Sequence, residues 1–203
     1  MVGFLGDEMK IGVMLRYVKD RYTLNEEILD VITFFGGEAV CFTHFHEDIL
    51  NFVDGVILQG GEDYTNEDLK TVSYLFKKDI PTLGICLGMQ TMGVFLEGAL
   101  QELPTTFHYQ PEKLDVHEIK VDTNSQFYDI INKDKVIVNS RHHEALTYTK
   151  ASITGISSDG VIEIIEDNSR KFFIGVQWHP ETNFLHDSVS LKLFQAFFDT
   201  LSR

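Results

Sequence analysis

The feature that most restricts the fold is an alternation in the first half of the chain. Short apolar runs at 10–15, 38–42, 54–58 and 82–85 are separated by stretches whose apolar residues recur at helical spacing: Ile28, Leu29, Ile32 and Phe35 in 25–35, then Leu69, Val72, Leu75 and Phe76 in 66–77. Continuous apolar strands joined by amphipathic helices belong to a parallel sheet covered on both faces. Gly36-Gly37 ends the first helix, and 89–96 is apolar enough to be a buried one. The second half changes character, with strand-like segments at 116–121, 135–138, 153–157, 161–165 and 172–177, and a closing helix at 188–201. The expected fold is α/β, a mostly parallel central sheet flanked by helices, with additional antiparallel strands in the second half. Neither an internal repeat nor a Pro/Gly/Ser-rich linker interrupts the 203 residues, so one domain over 1–203 is expected, with 1–9 a flexible extension before the first strand.

Charge narrows the function. The net charge of −14 repels nucleic-acid backbones and anionic lipid surfaces, and no Lys/Arg-rich stripe offsets it. No apolar run of about 18 residues and no basic leader is present, so the expectation is a cytoplasmic protein without nucleic-acid or membrane partners. Two cysteines make no disulfide framework, and each is read singly. Cys41 lies inside an apolar strand and is expected in the core.

Cys86 is different. Ligands of parallel α/β sheets gather at the carboxyl ends of strands, and Gly84-Ile-Cys86-Leu-Gly88 sits at such an end, opening the next helix. It is the thiol counterpart of the G-x-S-x-G elbow, where small neighbours permit a tight turn and the following helix amino terminus favours a thiolate. A thiolate attacking an amide needs a proton donor for the leaving nitrogen. Of eight histidines, His179 is the best placed, because the strand 172–177 delivers it to a sheet edge and Pro180 keeps it out of helical conformation. In an extended segment Glu181 would face the same way as His179 and fix its tautomer. Gly60 and Gly61, after the third strand, allow backbone N–H groups to approach an oxyanion, and Leu87 would add a second donor. His44 and His46 have no third ligand at metal-site spacing, while His108 and His117 have no readable orientation.

Three separated motifs, Gly84-Ile-Cys-Leu-Gly-Met-Gln90, Gly175-Val-Gln-Trp-His-Pro-Glu181 and Gly60-Gly61, resemble the class I glutamine amidotransferase family. Leu58-Gln-Gly-Gly-Glu-Asp63 and Val138-Asn-Ser-Arg-His-His-Glu144 are similar to its freestanding γ-glutamyl hydrolases. The resemblance implies a flavodoxin-like fold and a Cys86-His179-Glu181 triad that hydrolyses a small-molecule γ-glutamyl amide through a thioester, with no metal or organic cofactor. It also implies that Gln90, Ser140, Arg141 and His142 surround the glutamyl head group, and Glu144 stands where relatives often have Gln. For the leaving group, Arg16, Lys19 and Arg21 form a basic cluster after the first strand, and Arg16 and Arg21 are expected to receive a phosphate. Together with the resemblance this points to a γ-glutamyl phosphoramidate or nucleotide amidate, of the kind hydrolysed in capsule phosphoramidate synthesis. γ-Glutamyl aminobutyrate or polyamines, a glutaminase supplying ammonia to a separate synthase, and a silent binding module are the alternatives.

Overall fold

The computed structural model describes residues 9–201. The chain runs β1 (Met9–Met14), β2 (Arg16–Val18), β3 (Arg21–Thr23), α1 (Glu26–Phe34), β4 (Gly37–Phe42), α2 (Glu47–Phe52), β5 (Gly55–Leu58), α3 (Asn66–Lys78), β6 (Thr82–Ile85) and α4 (Leu87–Phe95). It continues through β7 (Ala99–Glu102), β8 (His117–Val121), α5 (Gln126–Ile131), β9 (Lys135–Val138), β10 (Glu144–Tyr148), β11 (Ser152–Ser157), β12 (Ile162–Glu166) and β13 (Phe173–Val176), then a 3-10 turn, Pro180–Asn183, and α6 (Ser188–Leu201). The expectation for 1–9 falls outside the described residues except at Met9, which opens β1.

One nine-stranded sheet has the order β4-β1-β5-β6-β13-β12-β11-β8-β9. The strands from β4 to β13 pair in parallel, and those from β13 to β9 pair antiparallel. The α/β sheet with an antiparallel extension therefore matches the sequence expectation. The last strand in the chain, β13, is inserted at the centre beside β6, with Gly175 opposite Gly84 and Val176 opposite Ile85. This placement brings the chain segments after the two strands together, although Cys86 and His179 are far apart in sequence.

The two faces bury separate cores. Alternate residues of the parallel strands point to opposite sides: Ile11, Val13 and Ile57 pack with α1, α5 and α6, whereas Met14, Val56 and Leu58 pack with α2, α3 and α4. Helix α3 starts with a reciprocal capping box between Thr65 and Asp68. Helix α4 lies unusually close to β5: a Cβ on Gly88 would run into the Leu58 carbonyl. Gly88→Ala is therefore expected to cost about 1–3 kcal/mol, lowering Tm by roughly 5 °C. Thermal unfolding of the variant checks this, and an unchanged Tm would contradict it.

Several local expectations are corrected. Cys41 is exposed, because β4 is the edge strand of the sheet. The hairpin β2–β3 turns through Lys19 (φ 48°) and Asp20 (φ 61°), a left-handed pair without the Asn-Gly type of signal that usually reveals such turns. Helices α2 and α5 have six residues each, too few for a periodicity, and β7 and β10 pair only with each other. No helix among the described residues is long and apolar enough to cross a membrane.

Candidate active site

Cys86 occupies the turn between β6 and α4 with φ 53° and ψ −108°, a left-handed conformation that costs a non-glycine residue of order 1–3 kcal/mol. Its neighbours hold it there. The Cys86 N–H donates to the Val176 carbonyl at 2.8 Å, and its own carbonyl accepts the Gln90 N–H at 3.0 Å. The side chain is buried, and Gln177 Nε2 donates to its Sγ at 3.6 Å. Strand β6 thus delivers a strained thiol to the start of a helix, as the elbow motif requires.

His179 follows β13 and caps the 3-10 turn. Its main chain is clamped by Asn139, whose Oδ1 accepts the His179 N–H at 2.9 Å and whose Nδ2 donates to the His179 carbonyl at 2.8 Å. The ring Nδ1 donates to Glu181 Oε1 at 2.7 Å, and the same oxygen accepts Asn25 Nδ2 at 3.0 Å. The expected His179–Glu181 contact is present, but through a different geometry: Glu181 lies in the 3-10 turn, where the tight winding folds its carboxylate back onto the ring. With Nδ1–H held by the carboxylate, Nε2 is left for the Cys86 side of the ring.

Burial disfavours a charged imidazole, but the Glu181 carboxylate and the Cys86 sulfur together outweigh it and hold the His179 pKa well above its ordinary 6.5. The proton on His179 therefore contributes stability that is fully present below the unfolded value and is lost as the pH rises through the raised folded value.

Gly60 and Gly61 lie beside this pair. A Cβ on Gly60 would approach His179 Cε1 to 2.9 Å and Cys86 Cβ to 3.6 Å, so only a bare backbone fits there. A Cβ on Gly61 would meet Leu87 Cδ2 at 2.9 Å, which sets the Gly61 backbone against the first turn of α4. Leu87 opens that helix, so its N–H belongs to the first turn, which has no intrahelical acceptor. The expected oxyanion donors are thus gathered around Cys86.

A cleft of about 340 Å³ opens at Cys86, lined by Gly61, Gln90, Arg141, His142 and Glu144, with Tyr109, His143, Glu62 and Asp63 at its other edges. Arg141 Nε is buried without a hydrogen-bond partner among the described residues. Gln90 Nε2 is committed to the Glu144 carbonyl at 2.8 Å and to Gln177 Oε1 at 3.2 Å. Of the expected head-group residues, Ser140 is displaced from the cleft and His142 lies on its wall. Ser140 is fully buried and absent from the cleft wall, its hydroxyl donating to the His108 carbonyl at 2.7 Å. His142 borders the cleft, yet its Nδ1 bonds the Glu144 carbonyl at 3.0 Å and its Nε2 faces Glu163.

The basic cluster after β1 is also rearranged. Arg16 is buried, bonded to Asp68 and donating through Nη2 to the Gln59 carbonyl at 2.9 Å, so its charge is neutralised and it braces the Gly60-Gly61 loop instead of receiving a phosphate. Arg21 remains exposed on β3. Sequence reasoning missed Asn25, Asn139 and Gln177. Each is a neutral amide whose part in the site is set by a contact across the fold, and none carries a spacing signal of its own. It also missed a buried group formed by His108, His117, His142 and Glu163.

Comparison with known proteins gives the family and the fold. The family model described as Peptidase C26 matches residues 64–181, more than half of the chain. A glutamine amidotransferase-like protein of Rickettsia prowazekii is 27% identical, with 92% of this chain aligned to 82% of that one. A similarly described protein of Lactococcus lactis is 29% identical over 74% of this chain and 75% of its own length. Among solved structures, a glutamine amidotransferase from Thermotoga maritima superposes with a TM-score of 0.71 over 98% of this chain and 100% of that one, at 14% identity. The likeness at that identity concerns the fold, and the family follows from the sequence match: the chain belongs to the peptidase C26 family of glutamine amidotransferase-like hydrolases.

Proposed function

We propose that this chain, acting as a single-domain enzyme, hydrolyses γ-glutamyl amides through a thioester on Cys86. The observation that carries the reading is the line from the strained Cys86 thiol through the His179 imidazole to the Glu181 carboxylate. In the first half-reaction the Cys86 sulfur bonds to the γ-carbonyl carbon, and N–H groups of the 60–61 loop and Leu87 receive the oxyanion. The C–N bond then breaks as His179 gives its proton to the leaving nitrogen. In the second, water attacks the thioester, His179 takes its proton, and glutamate leaves as the C–S bond breaks.

The cleft chemistry supports a free glutamyl head group. Arg141 offers a guanidinium to an α-carboxylate, and Glu144, Glu62 and Asp63 offer carboxylates to an α-ammonium. The Gln-to-Glu difference at position 144 is then a gain for a zwitterionic ligand.

For the leaving group, the favoured reading is a phosphoramidate or nucleotide amidate, as in γ-glutamyl-CDP-amidate. Arg16 no longer supports it, but Lys19 and Arg21 lie on the exposed β2–β3 hairpin, and Arg16 at the base of that hairpin packs its stem against Gly61 of the cleft. The hairpin also presents Tyr17 and Tyr22 with ring centroids 5.2 Å apart, an aromatic surface suited to a base.

The test is glutamate release from glutamine, γ-glutamyl aminobutyrate, a γ-glutamyl polyamine and a γ-glutamyl nucleotide amidate. Arg21→Ala is expected to lower kcat/KM roughly tenfold or more for the amidate alone, the size of a charge-assisted contact. An equal effect on all four substrates would remove the phosphate reading. Weak turnover of all four by the unmodified chain would favour a glutaminase that needs a synthase partner.

A further inference from the structure

The antiparallel half of the sheet contains two fully buried carboxylates on one strand, and the chain treats them differently. Glu166 of β12 accepts the main-chain N–H groups of Gln126 at 2.9 Å and Phe127 at 3.1 Å at the start of α5, so its charge is met by fixed donors. Glu163, three residues earlier, is equally buried, yet neither of its oxygens receives a hydrogen bond among the described residues. Three imidazoles surround it instead: His117 Nε2 at 3.0 Å, His108 Nδ1 at 3.5 Å and His142 Nε2 at 3.7 Å, all measured to Oε1. The three rings and the carboxylate come from four separate places, the 103–116 connection, β8, the segment after β9, and β12.

The outer hydrogen bonds decide what the inner atoms present. His108 Nε2 pairs with the Asp159 carboxylate at 2.9 Å, which accepts its proton and leaves Nδ1 as a lone pair, with the Ser140 hydroxyl, itself donating to the His108 carbonyl, at 3.5 Å. His142 Nδ1 pairs with the Glu144 carbonyl at 3.0 Å, which leaves Nε2 bare as well. Two lone pairs therefore face a buried carboxylate oxygen, an arrangement of acceptors against acceptors that is repulsive unless a cation lies among them. A ring nitrogen facing inward, with the opposite N–H fixed by a carboxylate or carbonyl, is the outer-shell pattern of metal-ligating histidines. The spacing agrees: donors 2.0–2.2 Å from a tetrahedral zinc stand roughly 3.3 Å apart, and the three separations from Oε1 bracket that value. The candidate ligand atoms of His108, His117 and Glu163 also lie within 4.8 Å of one another.

We propose that His108, His117 and Glu163 form a three-ligand site for a zinc-type divalent cation, with His142 beside it. Two imidazoles and one carboxylate suit a borderline cation in tetrahedral coordination, with the fourth position open to a water. The site ties the 103–116 connection, which carries the cleft residue Tyr109, to β8 and β12. It takes no part in the thioester chemistry and does not depend on that reading.

The test uses the full chain, stripped with a chelator and dialysed. Titration with Zn2+ is expected to end at one equivalent and to raise Tm by roughly 5 °C or more, because the ion binds the folded state. Co2+ in its place is expected to give the strong visible absorption of a tetrahedral site. Glu163→Gln and His117→Ala should abolish both signals, and His44→Ala with His46→Ala, on the exposed pair, should leave both intact. If the two inner variants fail to fold, the wild-type stoichiometry and Co2+ spectrum still decide. Substoichiometric zinc with no change in Tm would overturn the proposal. Binding lost in the His44 and His46 variants would overturn it equally.

Discussion

Replacing Cys86 with alanine is expected to lower kcat for glutamate release by at least ~10³-fold, because in the proposed mechanism it removes the atom that forms the covalent intermediate. Serine at this position is expected to rescue little of the rate: a hydroxyl is a far weaker nucleophile in a turn whose polar partner, Gln177 Nε2, is set at sulfur distance. The side chain at 86 is small and borders the cleft, so neither change is expected to disturb the packing of β6 or α4, and far-ultraviolet circular dichroism should remain unchanged. Turnover within about tenfold of the unmodified chain, in a folded Cys86→Ala protein, would remove Cys86 from the reaction.

The elements that position Cys86 were legible because they are local. A four-residue apolar strand, two glycines flanking the thiol and an apolar helix all fall within 82–96, and each has a signal in its own residues. The partner histidine was legible for a similar reason, as the residue after a strand and before a proline. What the sequence could not show is the strand order that brings them together, because the insertion of β13 beside β6 is a long-range pairing. The same limit explains Asn25, Asn139 and Arg16. Arg16 looked like part of a charged patch because Lys19 and Arg21 are near it in sequence, yet its neighbour in space is Asp68, whose carboxylate closes the capping box of α3. A buried ion pair of this kind has no local signature. Cys41 misled in the opposite direction: its apolar neighbours belong to the edge strand of the sheet, where the side chain at 41 is left exposed.

Glu181→Gln is expected to reduce kcat/KM by ~10²–10⁴-fold and to move the alkaline limb of the pH profile to lower pH. Both effects follow from one oxygen. Glu181 Oε1 accepts the proton-bearing Nδ1 of His179 at 2.7 Å and fixes the tautomer that turns Nε2 to the thiol side. Its negative charge is also the first cause that opposes burial and raises the His179 pKa. In the proposed mechanism the imidazolium is the proton donor for the leaving amine, so activity is expected to persist as the pH rises until His179 loses its proton. With glutamine at 181 that loss comes earlier. Stability should follow the same sign: the contribution present below the unfolded histidine value shrinks in the variant, and less is lost as the pH rises through the folded value. A pH-rate series on both proteins checks the argument, and an unshifted alkaline limb would contradict it. Asn25, which holds the same oxygen at 3.0 Å, ties α1 to the site and keeps the carboxylate from turning away from the ring.

The measurement that tests the central claim most directly is intact-protein mass spectrometry of an acid-quenched reaction with a γ-glutamyl amide under steady turnover. The account predicts a species heavier by one γ-glutamyl group, mapped by digestion to the peptide containing Cys86 and absent from Cys86→Ala. Steady glutamate release with the adduct absent, or with the adduct on another residue, would contradict it.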